Sequence, residues 1–137
     1  MPHVVAGKHL PKQLHGFGAA LVTASTKSYL RALAGANLNP MQILETANTL
    51  LNRDLPDGKF VTLFYAVLDA QGLEVTYAGA GHSAYHCHPD GRLKGLLESC
   101  GPALGWFADA EFPVQSFVAE KGDMLVLTTD GIEEAMN

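Results

Sequence analysis

The spacing of apolar residues divides this chain into a helical first third and a strand-rich remainder. Residues 17–34 carry Ala19, Ala20, Leu21, Ala24, Leu30, Ala32, Leu33 and Ala34, a composition that favours a helix. Gly35 can end that helix in the left-handed conformation. A second helix has a sharper start, because Asn39 can cap it, Pro40 suits the first helical position and Gln42 stands three residues after the cap. Ile43, Leu44, Ala47, Leu50 and Leu51 then recur at helical spacing, and the helix should stop near Arg53, before Pro56 and Gly58.

From Phe60 the pattern changes. Residues 60–68 (FVTLFYAVL) are apolar on both faces and predict a central strand. Shorter strands follow over 73–80, with Val75 and Tyr77 facing inward, over 83–88 and over 92–97, separated by turns at Asp69–Gly72 and Pro89–Gly91. Residues 98–111 predict a loop and 112–118 an edge strand carrying Pro113. Residues 124–129 predict a second buried strand, and Ile132 begins a helix near the end of the chain. Residues 1–16, punctuated by Gly7, Pro11 and Gly16, predict an irregular lead-in with at most a short strand at Val4–Val5. Two helices followed by strands at hairpin spacing argue for an α+β fold with antiparallel sheets, not a doubly wound parallel one.

Length and composition narrow the functional classes. A chain of 137 residues with 47% apolar and 17% charged residues fits a single globular domain. The net charge of -5 provides no basic footprint for nucleic acid. No apolar run is long enough to span a bilayer, and the first residues do not form a signal peptide. Cys87 and Cys100 form neither a CxxC pair nor half of a zinc site, so a reducing cytoplasm is the simpler setting.

Four segments can carry chemistry. In residues 121–131 (KGDMLVLTTDG) an apolar strand ends in Asp130 followed by Gly131, which can fix a carboxylate at the rim of a sheet as an oxygen ligand for a divalent cation. The same Asp-Gly pair also suits an ordinary turn that caps the next helix. In residues 77–82 (YAGAGH) small residues allow close backbone approach before His82, which can act as a proton donor or simply satisfy a strand break. His82, His86 and His88 share one face only if the strand is unbroken. Strand rise then puts His82 and His88 roughly 20 Å apart, too far for one metal. In residues 15–21 (HGFGAAL) His15 and Gly16 lead into a helix whose amides can seat a phosphate or form a tight turn.

Taken in order, HGFGAAL, FVTLFYAVLD, YAGAGH with GPALG, and KGDMLVLTTDGIEEAMN resemble the SpoIIE-like branch of the PPM (type 2C-like) metal-dependent serine/threonine protein phosphatases. The resemblance spans His15 to Asn137 and leaves residues 1–14 as an unmatched lead-in to one partial domain. It implies an αββα sandwich of antiparallel sheets holding two Mg²⁺ or Mn²⁺ ions at one end, where a metal-bridging water attacks phosphoserine or phosphothreonine. It also implies a phosphorylated regulatory protein as partner, in the manner of sigma-factor partner switching. Asp130 matches a metal-binding aspartate with Gly131 beside it, while His15, Gly16, Gly81 and His82 match site-lining positions. The chain departs from the pattern where the family carries Gly-Asp-x-x-Gly-His-Gly: Leu10 and Pro11 stand at the Gly-Asp positions and Leu14 at the next glycine. Residues 4–14 supply no carboxylate, and the closing helices and Asp-Asp pair are not matched, which suggests a truncated reading frame. The expectation is a phosphatase domain of which this piece has little or no activity. The competing readings are a pseudophosphatase that binds a protein partner without hydrolysis, and an α+β domain with no site.

Overall fold

A computed structural model describes residues 3–9, 17–56 and 58–128. The helices are α1 (Phe17–Ala34) and α2 (Pro40–Asp54). The strands are β1 (His3–His9), β2 (Thr62–Asp69), β3 (Glu74–Ala80), β4 (Ala84–Cys87), β5 (Leu93–Leu97), β6 (Gln115–Val118) and β7 (Met124–Val126). They form one sheet in the order β1-β2-β3-β6 and a second in the order β5-β4-β7. Every strand pair in both sheets is antiparallel.

Alternation along β2 builds both cores. Leu63 and Tyr65 point to the helices, where they join Ile43, Leu44, Leu51, Ala78, Leu104 and Phe112. Phe64 and Ala66 point the other way and meet Val75, Tyr77, Ala84 and Leu97 between the sheets. A strand buried on both sides is what its apolar run requires. The described layers are therefore a helix pair, a four-stranded sheet and a three-stranded sheet, in agreement with the α+β expectation. The helix expected from Ile132 lies outside the described residues.

Local signals account for α2. Asn39 Oδ1 accepts from the Gln42 amide at 2.9 Å, and Gln42 Oε1 accepts from the Asn39 amide at 3.0 Å, closing a capping box ahead of Pro40. Its apolar stripe of Ile43, Leu44, Ala47 and Leu51 is buried. The more exposed α1 leans on the helix-side core through Val22, Tyr29, Leu30 and Leu33. The Tyr29 hydroxyl donates to Asp54, which ties α1 to the end of α2.

The structure corrects three sequence expectations. The lead-in is not irregular over 3–9: His3–His9 is a seven-residue strand that pairs with β2, Val5 lying opposite Ala66 and Lys8 opposite Leu63. β7 stops at Val126 and lies at the edge of the three-stranded sheet, so its residues are half-buried or exposed instead of covered on both faces. The edge strand predicted over 112–118 begins only at Gln115, because Phe112 is drawn fully into the helix-side core.

Candidate functional site

The turn from β3 to β4 and the loop after β5 meet at one end of the paired sheets. Two glycines make this possible. A Cβ on Gly79 would lie 2.7 Å from both the His82 carbonyl oxygen and the Ser99 Cα, so only hydrogen fits there. Gly81 has φ +74°, in the left-handed region that a side chain disfavours. The approach is held by backbone bonds: the Gly101 amide donates to the Gly79 carbonyl at 3.2 Å, and the Gly81 amide donates to the Gly101 carbonyl at 3.0 Å. Ser99 locks the crossing, since its Oγ accepts from Gly81 N at 2.9 Å and donates to the Gly101 carbonyl at 2.9 Å. The Ser99 amide donates to Ser83 Oγ at 2.9 Å. YAGAGH and GPALG, separate in sequence, are thus one hydrogen-bonded unit.

The same loop is fastened at two further points. Val61 and Leu104 exchange backbone bonds of 2.9 and 2.7 Å. Asn48, on the buried face of α2, accepts from Gly105 N at 2.7 Å and donates through Nδ2 to the Phe107 carbonyl at 2.7 Å. Asn52, one turn later, donates to the Gly105 carbonyl at 3.0 Å. These two asparagines position the loop. Neither stands out by apolar spacing, although an asparagine at the centre of an apolar helical stripe is itself a signal, because a buried amide must find partners.

His82 stands in this unit with its Nε2 buried and, among the described residues, without a hydrogen-bond partner. Gly81 and His82 are therefore brought together with Gly79, Ser99 and Gly101. Asp130, Gly131, His15 and Gly16 lie outside the described residues. The break between β3 and β4 separates His82 from His86 and His88, so the three histidines do not share a continuous strand. Among the described residues no group of three His, Cys, Asp or Glu side chains could hold a metal ion. The described donors alone thus do not make up the two-ion centre that the resemblance implies.

A second polar cluster lies at the opposite end of β4, where Cys87 faces Met124. Asp123 Oδ2 accepts from His86 Nε2 at 2.8 Å, from Lys94 Nζ at 2.8 Å and from the Glu120 amide at 2.9 Å. The Lys94 ammonium, then the Glu120 N–H, with help from His86, hold the Asp123 carboxyl well below the usual carboxylate range, and burial opposes them. In return the Asp123 hydrogen bond raises the Lys94 pKa against the opposing effect of burial.

A pair of antiparallel sheets, covered on one side by two helices and laced at one end by a glycine-rich crossing, defines an α+β two-sheet domain. The same fold occurs in the RsbU and RsbW domains of a Mycobacterium tuberculosis protein, with a TM-score of 0.80 and 27% identity over 96% of this chain and 36% of that one. RsbX crystallised with magnesium matches with a TM-score of 0.74 at 17% identity, over 95% of this chain and 61% of that one.

The chain belongs to the stage II sporulation protein E (SpoIIE) family, whose sequence profile matches residues 15–137. The phosphoserine phosphatase RsbU of Bacillus subtilis (strain 168) is 32% identical over 121 residues, which cover 87% of this chain and 36% of the relative. The chain thus spans about a third of that relative's length. The family expected from the four sequence motifs is the family found.

Proposed function

We propose that the domain to which this chain belongs is a metal-dependent protein phosphatase that hydrolyses phosphoserine or phosphothreonine on a regulatory protein. The observation that carries this reading is the match of 121 residues to a phosphoserine phosphatase, within a family profile that takes in every motif named above. Asp130 is the residue proposed to contribute an oxygen to Mg²⁺ or Mn²⁺, with Gly131 allowing the chain to turn away. His15, Gly16, Gly81 and His82 are proposed to line the site. A component of sigma-factor partner switching is the proposed substrate. Cys87 and Cys100 are both free thiols, which suits a reducing cytoplasm.

Residues 4–14 carry no carboxylate, so this chain brings few acidic ligands to such a centre. A dication anchored by one carboxylate is held weakly, and the chain by itself should show little or no turnover. That scarcity also favours a second reading, a pseudophosphatase that binds its partner without hydrolysis.

The test is phosphate release from a phosphoserine peptide at saturating Mn²⁺. In the full-length protein, activity should fall to background on Asp130→Asn. Activity that survives this substitution removes Asp130 from the metal site. A full-length protein that binds the peptide without releasing phosphate establishes the second reading. Turnover by the 137-residue chain above its own Asp130→Asn control refutes its inactivity.

A further inference from the structure

The loop between β5 and β6 turns two large aromatic side chains outward. Trp106 is 49% exposed and Phe107 54% exposed. A single exposed apolar side chain is ordinary, but a contiguous group of them marks an interaction surface. These rings are contiguous. The centre of the Trp106 ring lies 4.6 Å from that of half-buried Phe60 and 6.2 Å from that of Phe107, with tilts of 51° and 56°. Neither contact is a flat stack, so the three rings form an open corner instead of a closed pile.

The backbone beneath the rings is pinned. Gly105, at φ +86°, is pressed against α2, where a Cβ would meet Leu55 Cδ1 at 2.9 Å. Asn48 accepts from the Gly105 amide, Asn52 donates to the Gly105 carbonyl, and Asn48 also donates to the Phe107 carbonyl. The Val61–Leu104 exchange fixes the chain beside Phe60. Rings held in place before a partner arrives lose little entropy on binding, and tryptophan is among the residue types that carry most of the energy at interfaces.

Charge decides what such a corner fits. Residues 98–113 contain three acidic side chains, Glu98, Asp109 and Glu111, all exposed, and no lysine or arginine. Lys59, next to Phe60, offsets only one of them. Aromatic faces attract cations through the ring quadrupole, and carboxylates around them repel anions and steer cations inward. Arginine suits the corner better than lysine, because its planar guanidinium stacks on rings and is more weakly hydrated. We propose that the corner of Phe60, Trp106 and Phe107 docks a basic peptide segment, one arginine of which lies over the rings while the loop carboxylates supply the opposing charge. This docking does not rest on the phosphatase reading, and phosphate release is not its readout.

The probes are acetylated peptides that alternate glycine with arginine, with citrulline, which keeps the shape of arginine without its charge, or with leucine. Trp106, the only tryptophan, reports binding by its emission. The arginine peptide should change that emission saturably in the 137-residue chain. At low salt it should bind at least about fivefold more tightly than the other two, an advantage that shrinks as salt rises. Phe107→Leu keeps an exposed apolar side chain and leaves the carbonyl bonded to Asn48 in place, so it should fold. It should weaken the arginine peptide about two- to fivefold. Asp109→Asn combined with Glu111→Gln should weaken it chiefly at low salt. The proposal is overturned if the arginine peptide leaves the Trp106 emission unchanged, if the citrulline peptide binds equally well, or if either variant binds the arginine peptide as the native chain does. A leucine peptide that binds as tightly identifies an apolar partner, and emission that moves with chain concentration before any peptide is added identifies a second copy of this chain. Either result also overturns it.

Discussion

Replacing Asn48 tests whether one side chain of α2 holds the loop that lies against the glycine crossing. Asn48 is 1% exposed and sits between α2 and residues 105–108. Asn48→Ala leaves the buried Gly105 N–H unpaired, at a cost of about 1–3 kcal/mol. The Phe107 carbonyl, nearer the surface, can turn to water, and its lost bond adds about 1 kcal/mol. The sum, about 2–4 kcal/mol, is a large part of the 5–15 kcal/mol that typically holds a domain together. Asn48→Asp is the sharper variant. It keeps the acceptor for Gly105 but turns a carboxylate oxygen towards the Phe107 carbonyl, so it should be worse than alanine at neutral pH and recover in part on acidification. Urea unfolding followed by tryptophan fluorescence reads this directly, because Trp106 is the only tryptophan and adjoins Gly105 in the same loop. Its ring lies 4.6 Å from that of Phe60, which makes its emission sensitive to loosening of the loop. A loss below about 0.5 kcal/mol for Asn48→Ala, the scatter of ordinary surface substitutions, would refute the view that this amide fastens the loop.

Two further outcomes follow from the same geometry. Gly79→Ala drives a methyl to 2.7 Å from backbone atoms of His82 and Ser99, which cannot rotate away, and should cost about 1–3 kcal/mol in urea unfolding while lowering amide exchange protection at Gly81 and Gly101. The depressed Asp123 pKa predicts acid sensitivity: its stabilisation is complete above the unfolded carboxylate value of about 3.9 and is lost progressively as pH falls towards the lower folded value. The urea midpoint should therefore fall more steeply below pH ~4 in the native sequence than in Asp123→Asn, and parallel profiles would show that the Lys94 and His86 contacts contribute nothing.

What could be read in advance from the sequence was what neighbouring residues decide among themselves. Asn39, Pro40 and Gln42 announced the start of α2, and all three act as their types suggest. The double-sided apolar run over 60–68 announced a central strand, and β2 lies between β1 and β3. β1 was not legible because HVVAGKH has too little apolar alternation of its own; its extended form is fixed by pairing with β2, more than fifty residues away. β7 failed in the opposite direction. MLVLTT reads as a buried strand, but burial depends on what lies on either side, and among the described residues β7 has β4 on one side only.

The candidate site divides along the same line. Gly79, Gly81 and His82 could be singled out because glycine and histidine in a strand pattern are locally anomalous, but their partner could not. Ser99 and Gly101 reach them across two strands of the second sheet, and Asn48 reaches Gly105 across 57 positions of sequence. The Asp123 cluster escaped notice for a related reason. In the sequence, Lys121, Gly122 and Asp123 look like a solvated turn before a strand, and only the pairing of β4 with both β5 and β7 brings His86 and Lys94 to that carboxylate. The two ends of the sandwich therefore differ in kind. One is built from backbone in close contact, where glycine is required and any side chain is a steric error. The other is built from charged side chains, with His86 and Lys94 converging on Asp123, where the chemistry of each group and not its bulk decides the contact.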